Sequence, residues 1–194
     1  MRNAVLIIEF ATLLAIVACN DSTGPSASAS GGWWPMTVNN NWTYHDTDYD
    51  YDTYYTISII ETGINMSFGS DMVLAVWSSV DKDWTDSVYF ENSDNYIREW
   101  SYDEYEQSWS YRTFLDLPLT IGKTWQLHTD YPSIMECVSL DTTVTVEAGT
   151  FESCAKIKLY EDESCYYYFA QGVGLVLFED PGYETEELNS YHLE

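Results

Sequence analysis

Positive charge is scarce in this sequence, which carries 7 Lys and Arg against 32 Asp and Glu for a formal net charge of −25 at pH 7. A surface this acidic repels the phosphates of nucleic acids and anionic lipid head groups, so nucleic acid is excluded as an expected partner. The hydrophobic content of 45% is too high for a disordered acidic chain. We therefore expect the acidic residues to cover a folded domain and to keep it soluble.

Recognisable catalytic motifs are also missing. The three histidines, His45, His128 and His192, form no HExxH or HxH arrangement, and no Gly-x-Ser-x-Gly nucleophile segment accompanies them. The "GVG" at 172–174 lacks the Lys-Ser/Thr of a phosphate-binding loop. Carboxylates are so numerous that a glycosidase pair cannot be singled out. We therefore expect a protein that is not an enzyme and holds no cofactor beyond weakly bound Ca²⁺.

The one long apolar run, "AVLIIEFATLLAIVAC", directly follows Met1-Arg2-Asn3. A basic start, an apolar stretch too short for a stable membrane span and small residues before a cysteine are typical of a signal peptide over 1–18. The end of this run, Ile16–Cys19, resembles the bacterial lipobox. That resemblance implies cleavage before Cys19 and lipidation of its sulfur and amine; an ordinary secretory peptide is the alternative.

A lipidated Cys19 predicts the location of the protein. Each buried methylene of an acyl chain contributes about 0.8 kcal/mol, so two or three chains anchor a protein stably to a membrane. We expect attachment within the bacterial cell envelope, with the outer membrane or cell surface favoured over the inner membrane. The Ser-, Ala- and Gly-rich segment 19–32 then reads as a flexible tether. Bulky residues begin at Trp33, which predicts a single domain over 33–194.

Apolar stripes with helical spacing are almost absent from this domain. β-Branched and aromatic segments instead recur about every ten residues, separated by turn-like residues. Val144 and Val146 alternate with threonines, and Ile157 and Leu159 alternate with lysines. Such alternation indicates strands with one buried and one wet face. The predicted fold class is all-β: an antiparallel sandwich, barrel or strongly curved sheet with little helix.

Two segments, 35–42 and 118–125, share the pattern Pro, apolar, Thr, aliphatic, three turn residues, Trp. Asn and Gly in the turn suit positive φ angles. Because large aromatic rings dominate cores, we expect Trp42 and Trp125 to be buried at two matching corners. A duplicated ligand pocket is the alternative.

Cysteine is also scarce, with four in the chain including Cys19. The remaining three have no CxxC spacing and no nearby His, which argues against a zinc site. The predicted hairpin register places Cys154 away from the other two. In an oxidising envelope we therefore expect a disulfide between Cys137 and Cys165.

The C-terminal third carries three family-like segments: "VTVEAGTFESCAKIKLY", "CYYYFAQGVGLVLFED" and "EELNSYHL". Together with the Pro-leading, Trp-containing stretch at 34–42, they resemble a group of uncharacterised bacterial envelope lipoproteins. The resemblance covers residues 33–44 and 118–192. It implies an all-β, lipid-anchored domain and brings no assigned activity.

The stretch "HDTDYDYDTYY" at 45–55 places an aspartate at every second position. It is not an EF-hand loop, because Tyr51 stands where Gly is needed and Ile57 where a bidentate Glu is needed. On a single strand the aspartates would share one face, about 6.6–7 Å apart. We expect a solvated strand face with at most weak Ca²⁺ binding. The four residues are Asp46, Asp48, Asp50 and Asp52.

Aromatic residues are abundant, with eight Trp and seventeen Tyr. Rings beside carboxylates suit glycan binding, although β domains also use such rings to fill their cores. We predict a binding or structural module, with an acyl-chain carrier and a carbohydrate-binding module or glycan-acting enzyme as alternatives. The candidate ligand-facing rings are Tyr49, Tyr51, Tyr54, Trp100, Tyr102, Tyr105 and Trp109.

Overall fold

The computed structural model describes residues 32–48, 52–80, 84–103, 107–128, 133–160 and 164–194. The predicted signal peptide and nearly all of the tether, including Cys19, lie outside them. Within the described ranges no helix is long and apolar enough to cross a membrane. The described chain forms twelve strands: β1 Asn41–Asp48, β2 Asp52–Met66, β3 Gly69–Ser79, β4 Thr85–Asn92, β5 Tyr96–Asp103, β6 Ser108–Asp116, β7 Thr124–Gln126, β8 Ile134–Val146, β9 Gly149–Tyr160, β10 Cys165–Ala170, β11 Gly174–Asp180 and β12 Glu184–His192.

All twelve strands belong to one antiparallel sheet, in the order β6-β5-β4-β3-β2-β1-β12-β11-β10-β9-β8-β7. The sheet curls until its two edge strands approach each other. The amide N–H of Thr113 on β6 donates to the carbonyl of Leu127 just after β7 at 2.7 Å, and Arg112 forms a bridge with His128. The result is a nearly closed, barrel-shaped sheet, so the all-β prediction is confirmed.

Side chains alternate between the inside and the outside of this sheet, as period-two geometry requires. On β9, Ile157 and Leu159 are buried inside, whereas Lys156 and Lys158 lie over tyrosine rings on the outer face. Along the inner face of β1, Trp42 and Tyr44 are fully buried, Asp46 is half-buried and Asp48 is exposed. The interior is therefore filled at one end and open to water at the other.

Trp34 fills the closed end. It is 2% exposed and contacts the rings of Trp42, Phe90, Phe114 and Phe169, with centroid distances of 5.4–6.1 Å. Those four rings come from β1, β4, β6 and β10. Strands so far apart in the sheet order meet around one side chain only because the sheet curls on itself.

Gly174 makes room for that side chain. A Cβ at this position would lie 2.5 Å from Cδ1 of Trp34, and the φ angle of 115° is one that L side chains rarely adopt. The same turn supplies the carbonyl of Val173, which accepts a hydrogen bond from Nε1 of Trp42 at 2.7 Å. The second glycine of "GVG" is thus a packing requirement of the core.

The repeated Pro-to-Trp pattern forms two matching corners. Asn39 and Gly122 occupy the same place in the pattern, and both have positive φ, 76° and 84°. The amide N–H of the next residue, Asn40 or Lys123, donates to the carbonyl of the threonine three residues earlier at 3.0 Å in each case. Trp42 and Trp125 are both buried, so the prediction of two structural corners is confirmed.

The stretch 45–55 is not a single strand, and that prediction was wrong. β1 ends at Asp48 and β2 begins at Asp52, so the stretch crosses a hairpin; residues 49–51, including Asp50, lie outside the described residues. Asp46 is paired with Thr53 on the inner face, whereas Asp52 bonds His45 at 2.7 Å on the outer face. Aspartate is itself common in turns, but its strict alternation with other residues here is typical of a continuous strand.

The predicted disulfide is also wrong. Cys137 on β8 pairs with Ile157, and Cys165 on β10 pairs with Leu159, so β9 runs between the two cysteines. Two strand spacings amount to about 9.5 Å, beyond the roughly 7 Å between Cα atoms that a disulfide can span. The structure accordingly has no bond between these two buried residues.

Candidate functional site

Outward-facing rings gather on β4, β5 and β6. Tyr89 pairs with Trp100, Trp100 pairs with Tyr111, and Tyr102 pairs with Trp109. Directly paired residues share a face of the sheet, so these five rings form a continuous patch. With Phe68, which packs onto them, they make up what we call the aromatic strip.

Phe68 reaches the strip from the turn between β2 and β3. Its ring centroid lies 4.6 Å from that of Trp100 and 4.5 Å from that of Trp109. The register of β2 with β3 shifts repeatedly near this tip, where Gly63 and Asp71 have positive φ. These irregularities bend the hairpin, so that its tip lies over the outer face of β5 and β6.

Polar groups border the strip on one side. The carboxylate of Glu91 accepts hydrogen bonds from the Tyr96 hydroxyl at 2.7 Å and from Nε1 of Trp100 at 3.4 Å. The guanidinium of Arg98 lies 3.8 Å from that carboxylate and rests on the rings of Tyr96 and Tyr111 at 3.7 and 4.5 Å. The strip therefore combines half-exposed rings with a carboxylate and a guanidinium.

A cavity of about 210 Å³ lies next to these polar groups, where the β6 edge of the sheet approaches β7 and the residues after it. Arg98 and Tyr111 line it from the β5–β6 side, and Trp125 and His128 line it from the other side. Nε1 of Trp125 donates to the carbonyl of Thr113 at 3.0 Å, which holds the two edges together at this point.

The structure brings together three of the predicted ring residues: Trp100, Tyr102 and Trp109. Of these three, Tyr102 is the most exposed, at 48%. Tyr54 lies elsewhere, on the outer face of β2, where its ring stacks on His45 with centroids 4.5 Å apart. The other three predicted rings, Tyr49, Tyr51 and Tyr105, lie outside the described residues.

A second cluster, which the sequence did not reveal, lies inside the open end of the sheet. Asp46 pairs with Glu186 and Asp48 pairs with Glu184, which places these carboxylates on the same inner face. Asp180 at the end of β11 also acts on the pKa of Glu184. We call this set of five the acidic cup: Asp46, Asp48, Asp180, Glu184 and Glu186.

Arg112 faces the cup from β6. Its guanidinium donates two hydrogen bonds to Glu99, at 2.9 and 3.0 Å, and Glu99 is only 5% exposed. Phe114, below Arg112 on the same strand, contacts Tyr167 on β10 across the interior, with ring centroids 6.1 Å apart. The paired charges of Arg112 and Glu99 therefore form part of the inner wall.

Glu186 is the cup residue whose pKa shift is large enough to matter near neutral pH. The pKa of its carboxyl is raised to about 7, chiefly by burial and also by the charges of Glu184 and Asp46. The Tyr55 hydroxyl, which donates to Glu186 at 2.8 Å, and the charge of Arg112 act in the opposite direction. Near neutral pH this carboxyl is therefore divided between its protonated and ionised forms.

Sequence alternation held a signal for this cluster. Glu184 and Glu186 alternate with other residues in a segment that reads as a strand, and Arg112 stands two residues before Phe114. A period of two places each pair on one face. The sequence does not show, however, that those faces are turned inward.

The four-aspartate face proposed for calcium does not exist, because Asp52 points outward while Asp46 and Asp48 point inward. Among the described residues, no group of three or more His, Cys, Asp or Glu side chains is arranged to hold a metal ion. Asp50 lies outside the part of the chain to which this statement applies.

The described chain is thus an all-β protein built on one nearly closed antiparallel sheet, and two solved structures share its fold. A candidate lipoprotein from Parabacteroides distasonis has 13% identity and a TM-score of 0.54, covering 84% of this chain and 99% of its own. A candidate exported protein with a YmcC-like fold from Bacteroides fragilis has 12% identity and a TM-score of 0.51, covering 84% and 100%. No family model and no curated protein matches the chain.

Proposed function

We propose that this protein is a lipid-anchored lipoprotein of the bacterial cell envelope and acts as a non-catalytic binding module. The lipobox-like segment ending at Cys19 supports the anchor. The fold that the chain shares with a candidate lipoprotein and a candidate exported protein supports the location. The aromatic strip supports the binding role.

Carbohydrate is the ligand class that fits the aromatic strip. The apolar C–H face of a sugar ring stacks on Trp and Tyr rings, while its hydroxyls need donors and acceptors nearby. Trp109 and Tyr102 offer the rings, and Glu91 and Arg98 offer the carboxylate and the guanidinium. This combination of contiguous outward-facing rings with polar groups at their edge is the observation that carries the proposal.

An acyl-chain carrier is less well supported by the described interior. Its apolar end is already filled by Trp34 and the rings around it. Its open end carries the acidic cup, and an apolar chain there would desolvate carboxylates without pairing them. The outer surface is therefore the better place to look for the ligand.

Removal of strip rings tests the carbohydrate proposal. We expect Trp109→Ala and Tyr102→Ala each to weaken binding of neutral β-glucan or chitin oligosaccharides about tenfold, or roughly 1.4 kcal/mol. Isothermal titration calorimetry measures the affinity. Tyr183→Ala is the matched control, since Tyr183 is 56% exposed at the turn between β11 and β12, away from the strip.

Three outcomes would count against this proposal. Absence of binding to every oligosaccharide, or an equal loss in Tyr183→Ala, would remove the strip as a glycan site. Release of new reducing ends from the bound oligosaccharides would replace the non-catalytic module by a glycan-acting enzyme.

The anchor has a separate test. We expect Cys19→Ser to move the protein from the membrane fraction to the soluble fraction and to abolish incorporation of labelled palmitate, because a serine hydroxyl cannot take the thioether-linked lipid. Fractionation and autoradiography measure both effects. A variant that still partitions with membranes would show that something other than the lipid holds the protein there.

A further inference from the structure

The acidic cup concentrates negative charge on the inner faces of three neighbouring strands. Neighbouring carboxylates raise the pKa values of its two glutamates: Asp46, Asp48 and Asp180 act on Glu184, and Glu184 and Asp46 act on Glu186. Such mutual repulsion marks a place where a bound cation would be stabilised.

Two described cations lie near the cup. Arg112 acts on the pKa of Glu186, and Lys156 lines a pocket together with Asp48, Asp180 and Glu184. The two hydrogen bonds of Arg112 are directed to Glu99, and the ammonium group of Lys156 lies over the ring of Tyr166. The Tyr55 hydroxyl, the hydrogen-bond donor to Glu186, is neutral. Because the described hydrogen bond to Glu186 comes from a neutral group, a ligand N–H at this carboxylate would add a charge-assisted hydrogen bond.

Thr53 provides an independent sign of a missing partner. It is 7% exposed, and its Oγ1 is buried with no hydrogen-bond partner. Thr53 is paired directly with Asp46, so its hydroxyl belongs to the same inner face as the cup. A buried polar group without a partner is energetically unfavourable. A ligand N–H donating to this oxygen would satisfy it.

Aromatic rings line the wall next to the cup. Tyr44, Tyr55 and Trp77 are stacked in a row, with centroid distances of 5.3 and 5.5 Å. Tyr55 links the row to the cup through its hydrogen bond to Glu186. Tyr44 and Trp77 cover the two faces of Tyr55, so the row fixes the Tyr55 hydroxyl against Glu186 and does not itself offer an open ring face to a ligand.

These observations favour an organic cation over a metal ion. A hard divalent metal needs several oxygen ligands at about 2.0–2.6 Å, and the described residues hold no such group. An ammonium group instead combines N–H donors for Glu186 and Thr53 with a charge that the neighbouring carboxylates attract. We propose that the acidic cup binds a small organic molecule carrying one or more primary ammonium groups. This site is inside the sheet and is independent of the aromatic strip.

The proposal makes binding depend on pH. The groups that face Glu186 are Tyr44, Tyr55, Asp46 and Glu184, together with Arg112 from the opposite wall. As the pH falls below about 7, Glu186 gains a proton and loses its charge, and the carboxyl of Glu184, whose pKa is also raised, is neutralised on acidification as well. The amine remains cationic throughout, since its pKa is about 10. Affinity should therefore be highest at alkaline pH and fall on acidification.

The test uses the full chain purified in detergent, with spermidine and putrescine as probes in isothermal titration calorimetry. We expect saturable binding at about pH 8.5 and an affinity at least about tenfold lower at about pH 5.5. Glu186→Gln and Glu184→Gln should each weaken binding at about pH 8.5 by about tenfold or more. Glu187→Gln is the matched control, because Glu187 pairs with His45 on the outer face of the same strand.

The outcomes separate the site from non-specific attraction to an acidic protein. No saturable binding at alkaline pH would overturn the proposal, and so would equal weakening in Glu187→Gln. Binding of CaCl₂ that depends on Glu186, in the absence of amine binding, would identify a metal site instead. Melting curves check that each variant is folded. If Glu186→Gln unfolds, Glu184→Gln alone decides. Because the strip is on the outer face, oligosaccharide binding should be unaffected by these changes.

Discussion

Replacing Trp42 with Ala should lower the free energy of unfolding by about 3–5 kcal/mol, the range for removing a fully buried large ring. Trp42 has no exposed surface and contacts Trp34 in the closed end of the interior. The substitution also leaves the carbonyl of Val173 without its donor. Urea denaturation followed by circular dichroism measures the change, with the slope checked for a common denatured state.

Two further variants make this prediction specific. Trp42→Phe keeps most of the ring and removes the hydrogen bond, so it should be less damaging than Trp42→Ala. Trp84→Ala removes a tryptophan that is 40% exposed and should change stability by about 0.5 kcal/mol or less. A loss below about 1 kcal/mol in Trp42→Ala would show that the ring does not organise the core as its contacts indicate.

Replacing Arg112 with Ala should be as damaging, by about 3–5 kcal/mol, for a different physical reason. Glu99 is 5% exposed, and its two carboxylate oxygens accept the hydrogen bonds of Arg112. Without the guanidinium, the carboxylate of Glu99 is left buried and without its partner. Urea denaturation measures the loss.

A double-mutant cycle distinguishes the lost pair from lost packing. Arg112→Met combined with Glu99→Leu should recover most of the stability, since a buried ion pair can be replaced by apolar residues at little or no net loss. Arg98→Ala is the control on the outer face, where the pair with Glu91 is 3.8 Å apart and should contribute about 1 kcal/mol or less. If the double variant is as unstable as Arg112→Ala, the effect comes from packing and not from the unpaired charge.

Local patterns that repeat every two residues were read correctly from the sequence. The alternation in "TTVTV" and "AKIKL" gave the buried faces of β8 and β9, because side-chain direction along a strand is fixed by backbone geometry. The shared Pro-to-Trp pattern gave two corners with positive φ at Asn39 and Gly122. Each of these features depends on residues that are neighbours in the chain.

Features that depend on strand order were missed. The bond predicted between Cys137 and Cys165 failed because β9 lies between their strands. The single strand predicted for 45–55 failed because an uninterrupted alternation can continue across a hairpin. The acidic cup and its position opposite Arg112 could not be found, since β1, β6 and β12 lie far apart in the chain.

The sequence by itself determined that the domain is β-structured, acidic on its surface and rich in rings that alternate along the strands. It also determined that Trp100, Tyr102 and Trp109 are candidates for one surface, because two strands joined by a hairpin bring them together. Only the tertiary structure decided which faces are inside. Curling the sheet until β6 meets the residues after β7 directs one set of side chains into a shared interior. That closure turns the alternating carboxylates of β1 and β12 from a solvated strand face into an acidic cup.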